Sequence, residues 1–81
     1  MELKEILIHG LEFRYKLLAR MKSDCDYYLG YGGRKSKYLW ARNEARQIST
    51  MREIYDSFPD REKPEWITLE EIDAYAEKMG A

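Results

Sequence analysis

The fold turns on how Leu3-Lys4-Glu5-Ile6-Leu7-Ile8-His9-Gly10-Leu11-Glu12-Phe13-Arg14-Tyr15 is read. Residues alternate on both sides of His9-Gly10. Ile6 and Ile8 share a face with Leu11, Phe13 and Tyr15, while Glu12 and Arg14 point the other way. Two short alternating runs joined by two residues form the pattern of a β-hairpin. Glycine accepts positive φ freely, and histidine enters the left-handed region more often than most residues. A second period runs through the same stretch, because Leu3, Ile6, Leu7 and Leu11 also fit the 3-4 spacing of a helix. In that case Gly10 falls in mid-helix, at a cost of about 1 kcal/mol against alanine. The expectation is therefore a hairpin over residues 3–15 in an α+β fold, with an all-α three-helix bundle as the alternative.

Beyond Tyr15 the periodicity is helical. Leu18, Met21, Cys25 and Tyr28 recur at i, i+3, i+7 and i+10, with Leu17 and Leu29 widening the stripe, which predicts a helix over 16–29. Gly30 stands where a left-handed residue closes such a helix. The loop Gly30-Tyr31-Gly32-Gly33-Arg34-Lys35-Ser36-Lys37 reads as flexible and basic, and Tyr38-Leu39-Trp40 returns the chain to the core. Asn43 as N-cap opens a second helix over 43–58, whose expected stripe is Ala45, Ile48, Met51, Tyr55 and Phe58. Pro59 ends it, since a residue before proline is biased out of the α region. Thr68-Leu69-Glu70-Glu71 is a capping box, flanked by Ile67 and Ile72 as a hydrophobic staple, and predicts a third helix over 68–79 closed by Gly80.

Eighty-one residues fit one domain, and a core of that size supplies only about 3–5 kcal/mol net. Seven tyrosines, two tryptophans and two phenylalanines enlarge it, and a hydrophobic content of 44% with net charge −1 excludes the disordered class. The longest apolar run is Ile6-Leu7-Ile8, so no membrane span is expected. No secretory signal is visible after Met1-Glu2. A single cysteine, Cys25, forms no intrachain disulfide and suits a cytoplasmic location. Charge is divided unevenly. Residues 1–55 hold eleven basic and seven acidic side chains, and residues 56–81 hold three basic and eight acidic.

No catalytic, metal or cofactor site is expected. His9 has no nucleophile near it, and one Cys with one His cannot supply a four-ligand zinc set. Cys25 lies on an apolar stripe between Asp24 and Asp26, whose charges work against a thiolate. Gly30-x-Gly32-Gly33 follows a helix and matches neither phosphate-binding glycine pattern. The informative cluster is basic and aromatic: Tyr31, Arg34, Lys35, Lys37, Arg42 and Arg46 are the candidate binding residues, with Tyr38 and Trp40 interleaved. Cations for phosphates and flat rings for bases are what single-stranded nucleic-acid binders use, although a pI near 5.8 is unlike such modules. Asp24, Cys25, Trp40 and Trp66 are expected to be structural, with Asp24 pairing to Arg34 so as to pin the glycine loop on its helix.

Four stretches read together carry a family likeness: Leu18-Ala19-Arg20-Met21-Lys22-Ser23-Asp24-Cys25-Asp26-Tyr27-Tyr28-Leu29-Gly30, Leu39-Trp40-Ala41, Gln47-Ile48, and Ser57-Phe58-Pro59 with Lys63-Pro64-Glu65-Trp66-Ile67-Thr68. Over about residues 16–79 the chain resembles the eleventh type of large polyvalent protein-associated domain. The resemblance implies cargo of bacterial conjugative elements and phages, and it implies no catalytic residue. Among the resembling residues, Arg20, Asp24, Asp26, Arg34 and Gln47 are polar and not required by a core. The expected function is a non-catalytic interaction module of a mobile genetic element, including a host-factor inhibitor, that binds a bacterial host or element-encoded protein. The alternative is an accessory nucleic-acid binder using residues 31–46. No enzyme activity is expected, and a monomer or weak homodimer is.

Overall fold

Gly10 precedes a helix instead of interrupting one. In the computed structural model, which describes residues 10–81, it is the N-cap, with extended backbone at φ −65° and ψ 167°. Its carbonyl accepts from the Arg14 N–H at 3.2 Å. The cost of a mid-helix glycine therefore never arises, and helix α1 runs Leu11–Leu29. This overturns the α+β expectation. The proposed second strand, Leu11 to Tyr15, is the start of α1, and the first strand lies outside the described residues. Among the described residues there are three α-helices and no strand, which is the three-helix alternative.

Alternation misled because Glu12 and Arg14 are compatible with either period. Arg14 does not point to solvent. It is half-buried, with its guanidinium 5.7 Å from the Phe58 ring centroid and Nη1 donating to the Ser57 carbonyl. The true stripe is helical from the outset: Leu11 packs against the core, and Leu17, Leu18, Met21, Cys25 and Tyr28 are buried.

Helix α2 spans Glu44–Asp56, and Asn43 caps it by accepting the Arg46 N–H at 2.9 Å. Its buried face is Gln47, Ile48, Thr50, Met51 and Ile54. Ala45, expected inside, is exposed, and Tyr55 is only partly covered. The helix stops two residues short of Phe58, which is nonetheless buried. Helix α3 spans Leu69–Met79. Thr68 accepts from the Glu71 N–H as the capping box requires, and Gly80 at φ 73° closes it in the left-handed region. Ile72, Ala76 and Met79 complete the core. Short 3-10 turns at Ser36–Tyr38 and Asp60–Glu62 shape the two connections, which contribute Leu39 and Ile67 to the interior. Among the described residues no helix is long and apolar enough to cross a membrane.

Candidate functional site

The connection from Gly30 to Asn43 is fastened on both sides. Asp24 of α1 accepts the Trp40 N–H at 3.0 Å, and Gln47 of α2 accepts the Ala41 N–H at 2.9 Å. Gln47 is fully buried and spans the interface, its Nε2 donating to the Met21 carbonyl of α1 at 3.2 Å. Although not required for burial by its own chemistry, its polarity is needed there because the Ala41 N–H would otherwise lack a partner, and its own amide is satisfied by the Met21 carbonyl. Glu44 takes the Tyr28 hydroxyl at 2.9 Å and the Ser36 hydroxyl at 2.6 Å, one on each carboxylate oxygen. These hydroxyls, Ser36 first, hold its carboxyl below the ordinary value.

The expected Asp24–Arg34 pair does not form. Arg34 reaches the other way, and its Nη1 donates to the Lys78 carbonyl at 2.8 Å in the last turn of α3. Such a contact answers a carbonyl that the helix end leaves without a partner. Asp24 still anchors the connection, through the Trp40 backbone instead. Burial pushes its carboxyl up, while the Trp40 N–H and the Arg20 charge act in the opposite direction. Gly30 is not left-handed, having φ −96°; Gly33 at 62° and Arg34 at 58° are, so the reversal comes three residues later. Gly32 is held by closeness. A Cβ there would lie 3.0 Å from the Tyr27 carbonyl oxygen and 3.1 Å from the rings of Tyr27 and Tyr38.

That close approach builds an exposed aromatic cluster. Tyr27 and Tyr38 meet edge to face with centroids 5.1 Å apart, and Tyr31 lies 6.5 Å from Tyr27 at a tilt of 41°. Tyr31 is 91% exposed, Tyr27 46% and Tyr38 39%. Lys37 sits 5.1 Å from the Tyr38 ring centroid. Tyr27 was missed in the sequence, although its signal was present: it falls outside the apolar stripe of α1 and one turn before Tyr31. Of the other candidate binding residues, Lys35, Arg42 and Arg46 are exposed, and Arg42 has φ 56°, the second non-glycine residue in the left-handed region. None of Arg34, Lys35, Lys37, Arg42 and Arg46 is in an ion pair among the described residues. Glu44, the acid within that stretch, is occupied by neutral hydroxyls. The cluster thus combines open aromatic surface with the charge of Lys37, on a connection whose other cations are in no ion pair among the described residues.

The remaining candidates are interior or remote. Cys25 is fully buried with its Sγ 3.7 Å from the Met51 Sδ, and burial foremost pushes its thiol up to about 12. Trp40 and Trp66 are partly buried against the core; the Trp66 indole N–H donates to the Tyr15 hydroxyl, and Tyr15 stands edge-on to Phe58. His9 lies outside the described residues. A groove of about 560 Å³ separates the end of α1 from α3, where Asp26 accepts from both Tyr75 and Lys22. Among the described residues no cluster of His, Cys, Asp and Glu is arranged to hold a metal ion.

No curated protein and no solved structure matches the chain. Residues 11–79 do match a family, and the match takes in all three helices, both connections and the tyrosine cluster. The chain belongs to the family described as large polyvalent protein-associated domain 11.

Proposed function

We propose that this domain is a non-catalytic interaction module of a mobile genetic element, docking a bacterial host or element-encoded protein through Tyr27, Tyr31 and Tyr38 and the cations beside them. The observation that supports this most is Tyr31. Its ring is 91% exposed, yet the backbone that carries it is tied on both sides. The Gly30 N–H donates to the Asp26 carbonyl at 2.9 Å before it, and the Gly32 N–H to the Tyr27 carbonyl at 2.6 Å after it. A large amphipathic side chain held ready on an ordered support loses little entropy when a partner covers it. Tyrosine and arginine are also the residue types that dominate binding energy at protein interfaces.

Single-stranded nucleic acid is the second reading, favoured by the cations interleaved with the rings. The edge-to-face packing of Tyr27 on Tyr38 counts against it, because it spends a ring face that a base would stack on. The test places a photoreactive benzoylphenylalanine at Tyr31 in bacterial extract. A discrete protein adduct that survives nuclease and is lost with Lys35→Glu/Lys37→Glu is the expected result. An adduct destroyed by nuclease, or salt-sensitive anisotropy with a labelled oligonucleotide, transfers the function to nucleic acid. No adduct of either kind overturns both readings.

A further inference from the structure

The tyrosine face has a chemical complement on the same chain. Residues 53–77 carry nine acidic side chains and two basic ones. Among the described residues only Asp60 and Asp73 of those acids are in ion pairs, with Lys63 and Arg52. Glu53, Asp56, Glu65, Glu70 and Glu77 are exposed and in no ion pair among the described residues. On α3, Glu70, Asp73 and Glu77 recur at i, i+3 and i+7, which sets them along one solvent-facing stripe away from Ile72, Ala76 and Met79, with Glu70 and Glu77 free of ion pairs among the described residues on either side of the Arg52-paired Asp73. The molecule therefore presents a positive aromatic face and a negative helix face, and neither neutralises the other within one copy.

We infer that the acidic face of α3 on one copy is a partner for the face of another that carries Tyr31, Tyr38 and Lys37, so that the chain associates with itself. This rests on the reading above that the tyrosine face docks protein, and it names that protein. The acidic and aromatic patches are complementary to each other and not each to itself, so the contact pairs the α3 stripe of one copy with the tyrosine face of another, made once in a series or twice about a two-fold axis. With net charge −1, no overall repulsion opposes approach. Exposed ion pairs are individually weak and screened by salt, so the association belongs to low ionic strength and high concentration, with Tyr31 as its apolar anchor.

Sedimentation velocity of the whole chain tests it. At low salt the weight-average sedimentation coefficient is expected to climb with concentration above the monomer value, and to return to it at about 1 M salt, where the screening length falls to about 3 Å. Lys35→Glu/Lys37→Glu and Glu70→Lys/Glu77→Lys are each expected to abolish the climb. Tyr31→Ala, which leaves net charge untouched, is expected to weaken it severalfold and so separates a built contact from generic attraction. A coefficient that stays monomeric at all concentrations overturns the inference, as does a climb insensitive to Tyr31→Ala. If the chain stays monomeric while the Tyr31 crosslink to a bacterial protein persists, self-association falls and the docking function stands; if that crosslink is also absent, both fall.

Discussion

Asp24 shows how one carboxylate can hold a connection in place without an ionic partner. Its oxygen is needed as an acceptor for the Trp40 N–H, whereas its charge is a burden that burial penalises. Asparagine keeps an acceptor and sheds the charge, so Asp24→Asn is expected to match or exceed the parent stability in urea unfolding. Asp24→Ala leaves the Trp40 N–H unpaired and is expected to lose about 1–3 kcal/mol. Equal losses for both would show that charge, not acceptor geometry, matters there. Cys25 makes a complementary case. A thiol pushed up to about 12 and fully covered holds almost no thiolate at neutral pH. Labelling by an alkylating reagent is therefore expected to track global unfolding, with urea midpoints for labelling and for circular dichroism that coincide. Rapid labelling of native chain would contradict this. Its position on the apolar stripe and the acids beside it were plain in the sequence. That burial is the larger cause became visible only with the packed helices.

The elements were legible where a local chemical signal marks their ends. Asn43 and Thr68 cap α2 and α3 as their side chains predict, because a cap is settled within four residues. The start of α1 was not, since Leu11 to Tyr15 satisfies two periods and only the contacts of Arg14 and Leu11 with distant residues choose between them. The Gly30–Gly33 turn was misplaced for a related reason: which glycine takes the left-handed conformation depends on Tyr27 and Tyr38 closing over Gly32, a contact spanning both sides of the loop. That contact yields a prediction. In Gly32→Ala the new methyl meets a backbone carbonyl that cannot move aside, and a cost of about 1–3 kcal/mol is expected, with loss of the near-ultraviolet dichroism of the tyrosine pair. An unchanged melting temperature would mean the loop relaxes freely.

At the scale of the whole molecule, the basic character of residues 31–46 was legible from composition, and the support beneath it was not. The roles of Glu44 and Gln47 were not legible, because Tyr28, Ser36, Met21 and Ala41 reach them only in the fold. Glu44 also contributes to the acid limb of stability. Its folded carboxyl lies below the ordinary 4.5, so it stabilises above that value and the contribution is lost as pH falls through the depressed one. Asp24 runs the other way, since its raised carboxyl takes up a proton more readily when folded. Glu44→Gln is expected to flatten the fall in urea midpoint between neutral pH and about pH 3, and a slope identical to the parent would assign the acid limb elsewhere. The fastening by Asp24 and Gln47 has a kinetic counterpart. The amide hydrogens of Trp40 and Ala41 lie on a connection without a regular ladder, yet each donates to a side chain of a neighbouring helix, Asp24 of α1 and the fully buried Gln47 of α2. In deuterium they are expected to exchange on the clock of the core, while the amide of Tyr31, nine residues earlier, exchanges on that of the solvent.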